Sequence, residues 1–280
     1  MEDRECIEFL QSALPRLRLR WPGFRRVRNQ VCKRINRRIS ELGSPDLPSY
    51  KRLLDDNPEE WEILDSLCRI TISRFYRDRG VFDILHSRIL PALAKKASQN
   101  GTDQIRCWSA GCCSGEEAYT LQILWKMCLV PGMKQQLQLR IIATDIDPAV
   151  LERAQKGVYP ESSLVDLPEG LIQQAFICSG GACSITRVCR EDIEFALQDI
   201  RERMPEGPFH LILCRNVVFT YFEEDLQLEI HDRIMERLAP GGIFIIGIHE
   251  SLPKGVSTLI PYNKIPGIYI MPPIMPMVQS

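Results

Sequence analysis

Apolar positions recur along the chain in two rhythms, and the change between them falls near residue 100. Up to that point the spacing is helical. Val27, Val31, Ile35 and Ile39 recur every fourth residue and mark one apolar stripe on a helix. Gly43-Ser44-Pro45 and Pro48 end it, and Asn57-Pro58-Glu59-Glu60 opens another pattern that runs through Trp61, Leu64 and Leu67-Cys68. Val81, Ile84, Leu85 and Ile89 through Leu93 predict one further helix.

Beyond residue 100 strands and helices alternate. Strands are predicted at Ile105–Ala110, Leu139–Asp145, His210–Cys214 and Ile243–Ile248. Helices are predicted at Glu116–Cys128, at Ala149–Gln155 after a first-turn Pro148, and at Glu223–Leu238, with Pro240-Gly241-Gly242 as a turn. This alternation predicts an α/β domain with a parallel sheet covered by helices on both faces. Residues 176–196 fit it poorly. Gly180-Gly181 followed by Ser184 to Phe195 predicts a small β excursion inserted in the α/β core. Six prolines in the last 28 residues predict an edge strand or irregular tail and no further helix.

Composition changes this picture only in places. The 280 residues are 45% apolar and 25% charged with a net charge of -1, which is ordinary globular composition. Apolar runs such as Ile243–Ile246 are far short of the ~20 residues that span a bilayer, and the acids among the first ten residues argue against a secretory signal. A cytoplasmic protein is expected, without nucleic-acid binding or membrane insertion, and a monomer. Eleven cysteines without a C-x-x-C pair, two of them adjacent at Cys112-Cys113, predict reduced thiols and neither a disulfide framework nor a zinc knuckle. His86, His210, His231 and His249 are scattered, so no metal site is expected.

Charge is unevenly spread. Residues 1–40 carry 11 basic against 4 acidic side chains, and no acid occurs between Phe9 and Ser40. The ten basic residues of that stretch are either a solvated helix face or a docking surface for an acidic partner, and the absence of any compensating acid favours docking.

In an open parallel sheet, ligands bind beyond the carboxyl ends of the strands. Ser109–Glu117, Thr144-Asp145-Ile146 and Cys214-Arg215-Asn216 meet that description. Gly111-Cys112-Cys113-Ser114-Gly115 is a glycine turn into a helix, but it lacks the G-x-G-x-x-G pattern of nicotinamide dehydrogenases. Glu116 and Glu117 open that helix, where acids favour the helix dipole yet repel a pyrophosphate. They suit a ligand with a cationic end. Asp145, at the tip of the second strand, is placed to bind a ribose diol. A ribose acceptor with an ammonium acceptor and no phosphate chemistry points to S-adenosyl-L-methionine.

The same stretches carry a family resemblance. Trp108-Ser109-Ala110-Gly111-Cys112-Cys113-Ser114-Gly115-Glu116-Glu117 resembles the W-S-A-G-C-S-T-G-E-E box of the CheR family of chemotaxis protein-glutamate O-methyltransferases. Thr144-Asp145-Ile146 is similar to its A-T-D-I strand. Phe209 to Val217 is similar to F-D-x-I-x-C-R-N-V, and Pro240-Gly241-Gly242 with Glu250-Ser251-Leu252 to its closing P-G-G and E-S-L. Ser73-Arg74-Phe75-Tyr76-Arg77-Asp78 resembles T-x-F-F-R-D. The boxes occur in family order over about residues 20–255.

The resemblance implies a class I S-adenosylmethionine-dependent methyltransferase (Rossmann-like) domain over 79–280 with a small β-subdomain inserted at about 176–196. It also implies an N-terminal helical, substrate-docking domain over 1–78. The implied reaction methylates glutamates on the acidic helical region of chemoreceptors or receptor-like proteins. By position, Thr71, Ser73 and Arg77 line the cofactor and the reacting carboxylate. Glu117, with Glu116 beside it, takes the methionine ammonium, and Asp145 takes the ribose. Asp199-Ile200 replaces the family's N-L pair near the adenine, Arg215-Asn216 matches its R-N pair, and Tyr221 stands near the transferring methyl. The loop Asn216-Val217-Val218-Phe219-Thr220-Tyr221-Phe222 has one residue more than the family's N-V-x-I-Y-F, and His210 replaces an Asp. Alternatives are a methyltransferase of the same fold with another acidic protein or small-molecule substrate, and a non-catalytic receptor-binding adaptor.

Overall fold

The computed structural model of the protein describes residues 2–133 and 136–273. The chain forms two compact units, Met1–Ile70 with Val217–Leu228, and Thr71–Asn216 with Glu229–Ser280.

The first unit is helical: α1 (Asp3–Ala13), α2 (Trp21–Phe24), α3 (Arg28–Glu41), α4 (Leu47–Asp56) and α5 (Pro58–Cys68). Asp46 and Asn57 start α4 and α5 by accepting the main-chain N–H groups of Ser49 and Glu59. The expected stripe on α3 buries Val31, Ile35 and Ile39, and the core around it holds Phe9, Tyr50 and Leu64. Part of the basic stretch is consumed inside the unit. Arg38 grips Glu60 through contacts of 3.0 and 2.7 Å, with Glu60 only 2% exposed, and Arg34 donates to the carbonyls of Leu67 and Arg69. Arg16, Arg18 and Arg28 pair with Asp55, Asp225 and Asp3. The exposed cations Arg25, Arg26, Lys33 and Arg37 make no ion pair among the described residues.

The second unit is α/β. In chain order it runs α6 (Arg79–Ile84), α7 (Leu90–Gln99), β1 (Gln104–Ala110), α8 (Glu116–Ile123), β2 (Gln138–Asp145), α9 (Pro148–Lys156), β3 (Val158–Pro160), α10 (Glu169–Ala175), β4 (Phe176–Ser179), β5 (Ala182–Ile185), β6 (Ile193–Leu197) and β7 (Phe209–Leu213). After α11 (Val218–Tyr221), which clusters with the helical unit, come α12 (Glu224–Met235), β8 (Leu238–Ile245), β9 (Ile260–Pro261) and β10 (Ile268–Ile270). The main sheet has the order β6-β2-β1-β7-β8-β10-β9. Its first five strands are parallel and β10 and β9 are antiparallel, so the carboxyl ends of β1, β2, β6, β7 and β8 share one rim. This is the strand arrangement of a class I methyltransferase.

Several boundaries move. The helix expected from Val81 to Leu93 is split by a π-helical turn at Leu85–Ile89, next to Pro91, whose ring cannot accept regular α geometry. A second π turn, Leu124–Leu129, ends α8 early. The last parallel strand starts at Leu238, so Pro240-Gly241-Gly242 is a bulge inside it and not a turn before it. The register there jumps from Phe209↔Leu238 to Leu211↔Ile243. The β excursion spans a wider and earlier range than 176–196. It is the antiparallel sheet β3-β5-β4, while Ile193–Leu197 joins the main sheet beside β2. Residues 71–78 cluster with the methyltransferase unit, eight residues earlier than the expected boundary at 78/79. Phe75 donates its N–H to Ser163 O and stacks edgewise on Tyr159 and Phe176, and Tyr76 N–H reaches Thr120 Oγ1 at 3.2 Å.

The reading of all cysteines as reduced thiols is also corrected. Cys6 on α1 is bonded to Cys32 on α3, and Cys178 to Cys183 directly across the β4–β5 hairpin. Separations of 26 and 5 residues match no recognisable framework, and only packing brings these pairs together.

Candidate active site

The loop after β1 is shaped by positive φ angles at Gly111, Cys113 and Gly115. Gly115 caps α8 at φ 85°, and a Cβ there would press on Ala154 and Phe195 at 3.0 Å. Gly111 and Cys112 both donate to Thr144 O at the end of β2, which holds the two rim loops together. Buried in this turn, the Cys113 thiol is pushed up to about 12, so it is not a nucleophile at neutral pH.

Asp145 stands where the sequence puts it. Its Oδ2 accepts Cys113 N–H at 2.8 Å and its Oδ1 accepts Asp147 N–H at 3.0 Å. A carboxylate has about four acceptor positions, so acceptor capacity remains for a ligand hydroxyl such as that of a ribose. Burial raises its pKa, against the main-chain N–H groups of Asp147 and Cys113.

The two glutamates of α8 part ways. Glu117 is engaged: Ser109 Oγ donates to it at 2.7 Å and Arg215 Nη1 at 3.0 Å. Glu116 is 5% exposed, and its Oε2 has no hydrogen-bond partner among the described residues. Burial raises its pKa. A buried carboxylate oxygen without a donor costs about 1–3 kcal/mol or more and fits a ligand ammonium. Glu116 and Asp145 thus leave two buried or half-buried carboxylates with acceptor capacity at the rim of the sheet.

Arg215 is a hub, 7% exposed. Besides Glu117 it donates to Asp78 Oδ2 at 2.7 Å and to the Arg77 carbonyl at 2.9 Å. It thereby joins the ends of β7, the start of α8 and the Ser73–Asp78 segment. Within that segment Arg77 is half-buried and donates to the Ile72 carbonyl at 2.9 Å, with Thr71 and Ser73 also half-buried alongside in sequence. Asn216, at φ 58°, has its N–H held by Glu250 Oε2 at 2.9 Å. The Asp199 carboxylate is tied to Arg201, and Arg233 holds the carbonyls of Ile200, Arg201 and Glu202. Tyr221 lies in the helical unit, its ring 5.1 Å from Phe24.

Sequence reasoning gave no role to Asp78, Ser109, Arg201, Arg233 or Glu250. Asp78 and Glu250 lie in the quoted boxes and were legible there, whereas Arg201 and Arg233 carry no signal apart from their contacts. His210 also gains an account. Its Nδ1 accepts the Arg106 N–H at 3.0 Å, just below the first β1–β7 pair at Cys107↔Leu211, so the imidazole completes the ladder where the strands separate. Burial lowers its pKa, which keeps it the neutral acceptor.

Residues 71–265 match the family model described as CheR methyltransferase, SAM binding domain. The chain is 33% identical over 190 residues to a chemotaxis protein methyltransferase of Listeria innocua, covering 67% of this chain and 68% of that protein. It is 30% identical over 234 residues to the chemotaxis protein methyltransferase of Escherichia coli, covering 80% and 77%. It is also 32% identical over 222 residues to an uncharacterised 104.1 kDa protein of Rhodobacter capsulatus, of which it spans only 23%. With its strand order, its paired rim carboxylates and 195 matched residues, the chain belongs to the CheR methyltransferase family and is an S-adenosyl-L-methionine-dependent methyltransferase.

Proposed function

We propose that the protein methylates glutamate side chains of chemoreceptors or receptor-like signalling proteins in the cytoplasm, giving glutamate methyl esters and S-adenosylhomocysteine. The observation that carries the acidic substrate is the exposed row Arg25, Arg26, Lys33 and Arg37, which remains after the other cations are paired within the helical unit. Two of these, Lys33 and Arg37, are four residues apart on α3 and share one face of it, and Arg25 and Arg26 lie in the turn just before that helix. Such a face suits the acidic side of a substrate helix. The relatives named chemotaxis protein methyltransferases support the receptor assignment.

S-adenosyl-L-methionine supplies a methyl group activated by its sulfonium. Glu116 takes the ammonium and Asp145 the ribose hydroxyls. Asp199-Ile200 stand near the adenine, and Thr71, Ser73 and Asn216 line the cofactor. A substrate glutamate has a reference pKa near 4.3, so at pH 7 it is already ionised and needs no general base. Arg77 orients one of its oxygens while the other attacks, and Tyr221 is the tyrosine that the family resemblance assigns to the methyl transfer. Alignment of this kind is worth ~7–11 kcal/mol. Arg215 and Glu117 keep these loops in register.

The test is incubation with methyl-labelled S-adenosyl-L-methionine and a receptor cytoplasmic fragment. Base-labile label on the fragment, lost when its glutamates are changed to alanine, is the expected result. Tight cofactor binding without transfer to any acidic helical fragment would instead identify an adaptor.

A further inference from the structure

We propose that Arg20 is a positioning residue for Tyr221. The proposal rests on the reading of Tyr221 given above and deepens it. The Asn216–Phe222 loop is one residue longer than the family box, so it must find partners for one more peptide group. The short helix α11, Val218–Tyr221, ends in carbonyls that its own turn cannot satisfy. One residue takes three of them in succession. Arg20 Nη2 donates to Phe219 O, its Nε to Thr220 O at 3.1 Å, and its main-chain N–H to Tyr221 O at 2.8 Å.

Neighbouring contacts point the same way. Leu19 pairs with Phe222 in an antiparallel bridge, and Glu223 N–H donates to Arg18 O at 3.0 Å. A Cβ at Gly23 would collide with the Thr220 carbonyl. Phe24 packs on the Tyr221 ring at 5.1 Å and 58°. The two carbonyls just before the tyrosine are therefore held by a planar two-donor fork, its own carbonyl by the Arg20 main-chain N–H, and its ring is backed by an aromatic. A lysine ammonium cannot reproduce that fork. The segment Leu19–Phe24 thus compensates, in sequence far from the family boxes, for the extra residue in the loop.

The experiment is a double-mutant cycle with Arg20→Gln, Tyr221→Phe and both together, measuring methyl transfer to a receptor fragment and S-adenosyl-L-methionine affinity by calorimetry. Arg20→Gln should lower kcat on the order of ten- to a hundredfold with cofactor affinity unchanged. In the Tyr221→Phe background it should lower kcat no further. A multiplicative loss, or a wild-type kcat in Arg20→Gln, overturns the proposal. Arg20→Lys should recover little. Should Arg20→Gln not fold, Gly23→Ala, which presses on the Thr220 carbonyl, enters the same cycle with the same expectation. A 3-fluorotyrosine at position 221 separates the two claims without turnover. Its 19F resonance should shift and broaden in Arg20→Gln. An unchanged resonance overturns the positioning role itself. A changed resonance with wild-type kcat in Tyr221→Phe overturns the reading of Tyr221, and the proposal falls with it.

Discussion

In the helical unit Arg38 meets Glu60 through two parallel contacts, and Tyr50 adds a bond of 3.0 Å to the same carboxylate. In the methyltransferase unit Arg215 spreads its guanidinium over Glu117, Asp78 and the Arg77 carbonyl. The first pair is bidentate, joins two helices of one layer, and leaves Arg38 with a quarter of its side chain in solvent. The second is divided among three segments far apart in sequence and is almost dry, with the Arg215 side chain 3% exposed. A bidentate pair fixes one local packing arrangement, whereas a shared arginine fixes the relative placement of several loops. The contrast separates a charge that holds one pair of helices from one that ties together the loops of the candidate site.

Removing the hub should break the comparison most severely. Arg215→Met takes the counter-charge from two partly buried carboxylates, Asp78 and Glu117, of which Glu117 keeps its bond from Ser109, and costs about 3 kcal/mol in unfolding free energy. Cofactor affinity should fall with it, because Glu117 and Glu116 start the same helix. Arg38→Met should cost less, since Tyr50 still bonds Glu60, and should leave cofactor affinity at the wild-type value. Denaturant unfolding and calorimetry on the two variants decide the matter; equal losses of affinity would erase the distinction.

Next in size is Asp145→Ala. The loss of two charge-assisted bonds at ~1.5–3 kcal/mol each should weaken S-adenosyl-L-methionine by at least about a hundredfold. A wild-type isotherm would remove the ribose assignment.

Glu116→Gln should move stability and binding in opposite directions. A carboxyl whose folded pKa lies above its unfolded value contributes stability below the unfolded value, and that contribution is lost as pH rises through the folded value. Above its raised folded value the half-satisfied Glu116 is therefore a cost, and there the amide should stabilise the ligand-free protein by about 1–3 kcal/mol. Cofactor affinity should fall because the ammonium loses its counter-charge. In the wild type, affinity should decline on acidification at a higher pH than an ordinary carboxylate near 4.3 would give, since burial raises both Glu116 and Asp145. Unfolding midpoints without ligand and titrations from pH 7 downward check both signs.

The smallest structural effect belongs to the open face. Arg26→Glu, Lys33→Glu and Arg37→Glu together should each leave stability within about 0.5 kcal/mol while raising the KM for an acidic receptor fragment. That rise should shrink as salt shortens the Debye length below ~8 Å. An unchanged KM across the salt series would mean that this face is solvated and nothing more.

The units also differ in what the sequence disclosed. Strand tips, the glycine turn and Asp145 were legible because a parallel sheet places its ligand-binding loops by topology, and short boxes encode those loops. The basic helix was legible only as a sum. Which of its cations stand free depends on Glu60, Asp55, Asp3, Asp225 and several carbonyls, all brought in by tertiary packing. For the same reason the engaged Glu117 and the unpartnered, buried Oε2 of Glu116 could not be told apart from two adjacent letters. The cysteine pairs failed similarly, since bonding depends on helix and hairpin proximity that spacing does not encode.

The assignment of Val217–Leu228 to the helical unit bears on how this protein can be cut, fused or exchanged with its relatives. The covalent order interleaves the two bodies, so the amino-terminal module is not a bead on a string. A fragment beginning at Thr71, where the family model also begins, would keep the α11 stretch but lose Leu19, Arg20 and Phe24, and with them the bridge to Phe222, the bond to the Phe219 carbonyl and the ring against Tyr221. Chimeras that trade docking modules between family members must therefore carry both sequence segments across together, and a graft that moves only the first seventy residues inherits a mismatched seam beside its own tyrosine.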